Sequence, residues 1–205
     1  MRIERYKIGY ACLLLSIFIT GCSGNSTFFY PDKENSGLGI FSNTGNNVFS
    51  CYVNGNPWRT QDRKWSSGVA SSSHTYEINI SKQYTDSPTT LLSIIWYRSY
   101  FDQISLFVSV PRNFSYADFA TWQGKRLSID GVNSYFTMQV DGYNNTGRGL
   151  GTIYFNKLNF DNMDSAFGNE VTGRMSGLLE VDFGSVKITS GRFDHNLDAN
   201  VIHFW

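Results

Sequence analysis

From about residue 38 onward, apolar residues recur at every second position in short runs, and most runs close on glycine, proline, asparagine or aspartate. A period of two puts alternate side chains on opposite faces, so such a chain buries its apolar half as layered β-strands. The run Val48–Val53 aligns Phe49, Cys51 and Val53, then meets Asn54-Gly55 and Pro57, a strong turn cue. Tyr76, Ile78 and Ile80 alternate with Glu77, Asn79 and Ser81, and residues 89–97 are nearly all apolar or β-branched, as in a core strand. Ile104, Leu106, Val108 and Val110 align within 103–110, which Pro111 stops. Further strands are predicted near 126–130, 133–140, 150–158, 171–181 and 184–190. The period changes once: Ser115 and Asp118 form a weakened capping box and Gly124 can close the turn. Residues 116–123 therefore read as a short helix packing Phe119 and Trp122 on a sheet, with a loop as the alternative. Some ten strands and at most one helix near 115–124 predict an all-β fold, either an antiparallel β-sandwich or a partly closed barrel.

The first residues obey different rules. Arg2, Arg5 and Lys7 precede an apolar run from Ile8 to Ile19 that ends in Ile19-Thr20-Gly21-Cys22. A run of about twelve residues is short of the roughly 20 needed to span a bilayer as a helix, so it reads as an export leader with a small-residue exit. Its last four residues resemble the lipobox of bacterial lipoproteins. That resemblance implies cleavage after residue 21, lipidation of Cys22 and a chain tethered to the bilayer outside the cytoplasm. Ser23 in place of Asp implies the outer membrane, and the uncharged Ser23–Thr27 leaves its periplasmic or outward side open. An ordinary secretory signal or a membrane-spanning anchor are the alternatives. The organisation is then a leader over 1–21, a Ser/Asn/Gly-rich tether over 22–37, and one β domain over 38–205. Phe28, Phe29 and Tyr30 are apolar enough to add a strand or dock on the body.

Three of the 17 basic residues and one of the 17 acidic residues lie in the leader, leaving 14 against 16 and a formal charge of −2. No basic stripe is present to release counterions from a nucleic acid, so no nucleic-acid partner is predicted. Of three cysteines, Cys12 leaves with the leader and Cys22 takes the lipid. Cys51 remains alone, a buried small hydrophobe rather than a nucleophile, and the domain must be held by its core.

Residues with site chemistry are few, and no catalytic residue, cofactor or metal is predicted. His74, His195 and His203 stand at no zinc-ligand spacing, although His195 adjoins Asp194. The loop holding Asp161, Asp164 and Glu170 has Ala166 where a calcium loop from Asp161 needs glycine, so it reads as a solvated turn. Gly147 to Gly151 lacks the strand and helix of a phosphate cradle. Paired carboxylates for glycoside hydrolysis cannot be read from sequence, since the fold sets their separation. Among the five tryptophans, Trp58 and Trp65 flank the polar stretch 59–64 and are the candidates for a glycan-stacking platform, against the alternative that strand aromatics fill the core.

The segment from Asn47 to Trp58, Asn-Val-Phe-Ser-Cys-Tyr-Val-Asn-Gly-Asn-Pro-Trp, is similar to the Asn-x-Phe-x-Cys-x-x-Asn-Gly-x-x-Trp opening of a family of uncharacterised lipoproteins from Bacteroides-like bacteria. Val171–Gly177, followed by Val186–Asp194 with its Ile188-Thr189-Ser190-Gly191-Arg192-Phe193-Asp194, resembles that family's closing motif. Thr172-Gly173-Arg174-Met175 departs from the Ser-Gly-Thr-Phe usual there. The likeness covers residues 47–194 and implies a membrane-tethered all-β domain without an assigned activity. Asp164-Ser165-Ala166 resembles the short O-glycosylation sequon of the same bacteria, which makes Ser165 a candidate attachment site. On phase alone, Arg192 and Asp194 share a face and can pair while Phe193 enters the core, and Gly191 can end a strand.

Three readings follow: an accessory, protein-contacting envelope lipoprotein; a glycan-binding module using exposed tryptophans; and an envelope glycoside hydrolase.

Overall fold

The computed structural model describes residues 32–60, 75–81, 87–99, 102–140, 142–143, 147–162, 171–198 and 202–204. Eleven strands run in chain order among them: β1 (Val48–Val53), β2 (Asn56–Arg59), β3 (Tyr76–Ser81), β4 (Thr89–Ser99), β5 (Asp102–Pro111), β6 (Arg126–Ile129), β7 (Tyr135–Gln139), β8 (Leu150–Asn162), β9 (Thr172–Asp182), β10 (Lys187–Leu197) and β11 (Ile202–Phe204). One helix, α1 (Tyr116–Ala120), lies between β5 and β6.

The strands form a six-stranded sheet ordered β2-β1-β10-β9-β8-β6 and a five-stranded sheet ordered β11-β3-β4-β5-β7. All pairings are antiparallel except β11 with β3. The fold is thus an all-β sandwich with open sheet edges, not a closed barrel.

Alternation sets which side chains face inward. Phe49, Cys51 and Val53 of β1, Ile78 and Ile80 of β3, and Ile104, Leu106, Val108 and Val110 of β5 all join one core between the sheets. Through that core runs a chain of rings. Trp58 meets Phe49 edge-on at 5.5 Å, Phe49 stacks on Trp96 at 4.7 Å, and Trp96 lies 5.6 Å from Phe193. Phe193 continues to Phe155 at 5.8 Å, and Phe155 to Phe119 of α1 at 5.9 Å. Each well-oriented ring pair adds about 0.5–1.5 kcal/mol beyond area burial, so the aromatic content serves the core first.

Local chemistry explains the turns. Asn54 (φ 48°) and Gly55 (φ 81°) supply the two left-handed residues of the two-residue hairpin joining β1 to β2. In α1 the Ser115 hydroxyl accepts from the Asp118 N–H while the Asp118 carboxylate accepts from the Ser115 N–H, a full capping box. The helix ends at Ala120, earlier than the predicted Gln123. Strand β7 begins at Tyr135 rather than near 133 because the Asp130 carboxylate accepts the N–H groups of Val132, Asn133 and Ser134 and holds them in a turn.

Three further differences from the sequence reading have physical causes. Asn56–Arg59, read as a turn because of Pro57, is a strand. It lies at the sheet edge, where proline's missing donor costs no ladder bond. Strand β10 does not stop at Gly191: Ser190 adopts φ 53° and a register shift between Ile188 and Gly191 carries the strand through to Leu197. The short β11 adds to β3 in parallel, an edge that no run of alternation announced. Within β9, Gly177 is required by packing. A Cβ there would stand 2.0 Å from the Tyr154 carbonyl oxygen and 2.5 Å from the Phe193 ring.

Candidate functional site

Two buried polar clusters and one fastened segment hold the chemistry of the described residues. At one end of the core, the Trp58 indole N–H donates to Asp102 Oδ1 at 2.7 Å. Arg98 donates through Nε to Asp102 Oδ2 at 2.5 Å, and its guanidinium lies 5.6 Å from the Trp58 ring. Asp102 is 1% exposed, so this carboxylate is buried with an ion-pair partner and an indole donor. The cluster joins β2 to the β4–β5 end of the opposite sheet.

The second cluster surrounds His195. The Trp96 indole donates to His195 Nε2 at 3.0 Å, and Tyr76 stacks on the imidazole at 4.1 Å. Since Nε2 accepts, the proton sits on Nδ1, which has no partner among the described residues. Complete burial pushes the imidazole down to about 3, so it is neutral at physiological pH. Burial likewise raises the Tyr76 hydroxyl, which donates to the Asn196 carbonyl. The Cys51 thiol is raised as well by its complete burial, with the Arg98 charge a smaller, opposing influence. A raised, inaccessible thiol is no nucleophile.

The third feature lies outside the sandwich. Residues 32–46 cross the outer face of β1 and β10 and are fastened there. Arg192 pairs with Asp32 and reaches the Gly39 carbonyl at 3.4 Å. The Gly39 N–H donates to the Ser50 hydroxyl at 3.1 Å, and the Tyr52 hydroxyl donates to the Ser36 carbonyl at 2.8 Å. Asp194, 4% exposed, accepts from the Ser42 hydroxyl and from the N–H groups of Thr44, Gly45 and Asn46, the Gly45 bond measuring 2.8 Å. The side chain and backbone donors around Asp32, namely Asn35, Glu34 and then Arg192, hold its carboxyl at about 2. Because this value lies below the ordinary 3.8, the stabilisation from Asp32 is complete above pH 4 and is lost as pH falls toward 2. Arg192 and Asp194 share a face, as their phase requires, but each holds a different part of the N-terminal segment instead of pairing together. Residues 32–37, assigned to the tether on composition, are bound to the body.

The sequence-predicted site residues separate accordingly. Trp58 is 2% exposed and its ring belongs to the core chain, so it offers no face to a glycan, a correction to its reading as a platform. Its turn-rich neighbourhood concealed an edge strand whose inward position pairs with Cys51. Cys22, Trp65, His74, Asp164, Ser165 and Glu170 lie outside the described residues. Among the described residues the buried carboxylates are Asp102 and Asp194. One points into the core and the other lies under the N-terminal segment, so they form no facing acid–base pair. Among the described residues no group of three or more His, Cys, Asp or Glu side chains is placed to hold a metal ion.

Sequence reasoning missed the Trp58–Asp102–Arg98 cluster. No local motif singles out Arg98 or Asp102, and it is the pairing of β4 with β5 that brings them together facing Trp58. Compared with models of protein families, with curated proteins and with solved structures, the chain matches none.

Proposed function

We propose that this chain is a lipid-anchored protein of the bacterial outer membrane, held by an acylated Cys22, that works through protein contacts as an accessory of the cell envelope. The observation that carries the reading is the basic head, short apolar run and Ile19-Thr20-Gly21-Cys22 exit. The domain supports it in two ways. Its buried polar groups are spent on holding the fold, and its N-terminal segment from Asp32 is fastened to the outer face of β10, leaving a short tether between the candidate lipid and the body. A glycan platform would now have to rest on Trp65 without Trp58.

The test is metabolic labelling of cells expressing the full chain with an alkyne-tagged palmitate. Wild-type protein is expected to carry the label and fractionate with membranes, while Cys22→Ser loses both. An unlabelled wild type, or a label that survives Cys22→Ser, overturns the anchor. Intact mass of the mature protein reads out sugar at Ser165 in the same preparation.

A further inference from the structure

We propose that the outer face of the six-stranded sheet, with the segment fastened over it, rests on an anionic phospholipid surface. The inference depends on the lipid anchor proposed above and adds which side of the domain meets the bilayer. Four of the five large hydrophobic side chains exposed among the described residues stand on this one surface. They are Ile40 (50%) and Phe41 (37%) in the fastened segment, Leu178 (37%) on β9 and Leu150 (56%) at the start of β8. Register joins them. One cross-strand row runs Arg126, Tyr154, Leu178, Arg192 and Ser50, and the last two hold Gly39, the residue before Ile40. Leu150 shares the phase of Tyr154 and so the same face of β8. An apolar patch rimmed by polar groups on an outer sheet face marks a contact with a partner or a membrane.

The charges around the patch fit a phosphate surface. Arg126 lies over the Tyr154 ring at 5.8 Å, and Lys157 and Arg174 stand in the next two rows of the same face. Neither of these two pairs with a carboxylate among the described residues. Of the carboxylates on the face, Asp32, Asp182 and Asp194 are engaged by Arg192, Lys187 and the N-terminal segment. Glu180 and, near the end of β8, Asp161 remain against the three cations. Cations framing aliphatic and aromatic side chains suit the headgroup region, where apolar tips leave water while basic groups meet phosphates.

The tether selects the bilayer as the occupant. Nine residues separate Cys22 from Asp32. At full extension that places Cys22 within about 35 Å of Asp32. Asp32 is itself held by Arg192 on this face, so the tether enters the domain here. To turn the five-stranded sheet to the bilayer instead, the tether would pass β1 and β2 and then two layers about 10 Å apart, about 20 Å before side chains are counted. That path takes up more than half of the reach. Among the described residues, the outer rows of the five-stranded sheet also expose no large hydrophobic side chain.

The test reconstitutes the full lipidated chain in vesicles containing phosphatidylglycerol and reads a thiol-coupled fluorophore against lipids spin-labelled at the headgroup. The label is placed at Leu178→Cys on the patch or at Gln139→Cys, an exposed position of β7 on the opposite sheet. Cys51 is buried and does not compete for it. Quenching is expected at Leu178→Cys and not at Gln139→Cys. Lys157→Glu with Arg174→Glu, or vesicles of phosphatidylcholine alone, should lower the docked-to-free ratio about fivefold or more. Thermal midpoints confirm that each exposed-site variant keeps the fold. Equal quenching at the two positions overturns the proposal, as does a Leu178→Cys signal indifferent to both the charge reversals and the lipid. Flotation of the same samples reads the anchor separately. A chain that floats with Leu178→Cys unquenched, as when a protein covers the patch, keeps the anchor and loses the docking face, whereas a chain that does not float loses both.

Discussion

The two sheets bury their charges on opposite surfaces. The six-stranded sheet keeps Arg192 and Asp194 on its outer face, where residues 32–46 cover them and supply main-chain donors. The five-stranded sheet turns a buried ion pair, Arg98–Asp102, inward against Trp58, and among the described residues its outer face carries few charges. In both sheets a buried carboxylate is tolerated where several donors converge on it, as the cost of desolvation demands. The difference lies in what the charges hold. On one sheet they fasten the chain's own N-terminal segment, and on the other they join the two layers.

The contrast can be broken most forcefully at Asp102. Asp102→Ala leaves the Arg98 guanidinium and the Trp58 indole without their acceptor inside the core, and is expected to cost about 4 kcal/mol in urea unfolding. A loss below about 1 kcal/mol would mean that the cluster does not join the layers. Next comes Asp194→Ala, expected to cost about 3 kcal/mol because three backbone N–H groups lose a charged acceptor. Hydrogen exchange should then accelerate at Thr44, Gly45 and Asn46 ahead of the strands. Uniform acceleration across both sheets would deny that the segment is a separately fastened element.

A pH experiment separates the inner surface from the outer. The buried His195 is held at about 3 whereas an unfolded histidine titrates near 6.5, so below pH 6.5 the unfolded chain binds the extra proton. The His195 contribution is therefore complete above pH 6.5 and declines as pH falls toward 3, by about 1.4 kcal/mol per pH unit. His195→Gln keeps an acceptor for Trp96 and is expected to flatten that slope, read from urea midpoints between pH 7 and 4. The Asp32 contribution, lost only below pH 4, should persist in this variant. The smallest effect is expected at the β1–β2 turn. Gly55→Val places a branched residue at φ 81° with open space around it, a cost of about 1–2 kcal/mol that lowers the thermal midpoint without touching either charged cluster. An unchanged midpoint would show that the turn relaxes freely.

Much of the strand content was legible because alternation and turn residues are local. Phe49, Cys51 and Val53 declared a common face, Asn54-Gly55 a hairpin, and Ser115 with Asp118 a helix start. Trp58 stood open between platform and core because its neighbours in sequence are polar, while its neighbours in space are Phe49 and Asp102. The same blindness hid the partners of the Gly191–Asp194 motif. Phase placed Arg192 and Asp194 on one face but carried no information on what lies over it.

The amino-acid sequence alone thus determined that this chain is all-β, where most of its strands lie, which residues face together within each strand, and that its first 22 residues have the pattern of an export leader ending at a candidate lipid site. Tertiary structure alone decided which face of each sheet is covered, that Pro57 sits in an edge strand, that β10 runs through Gly191, and that Arg192 and Asp194 grip residues more than a hundred positions away. The physical reason is that strand periodicity is a property of consecutive residues, whereas the burial of a charge depends on donors brought to it by distant parts of the chain.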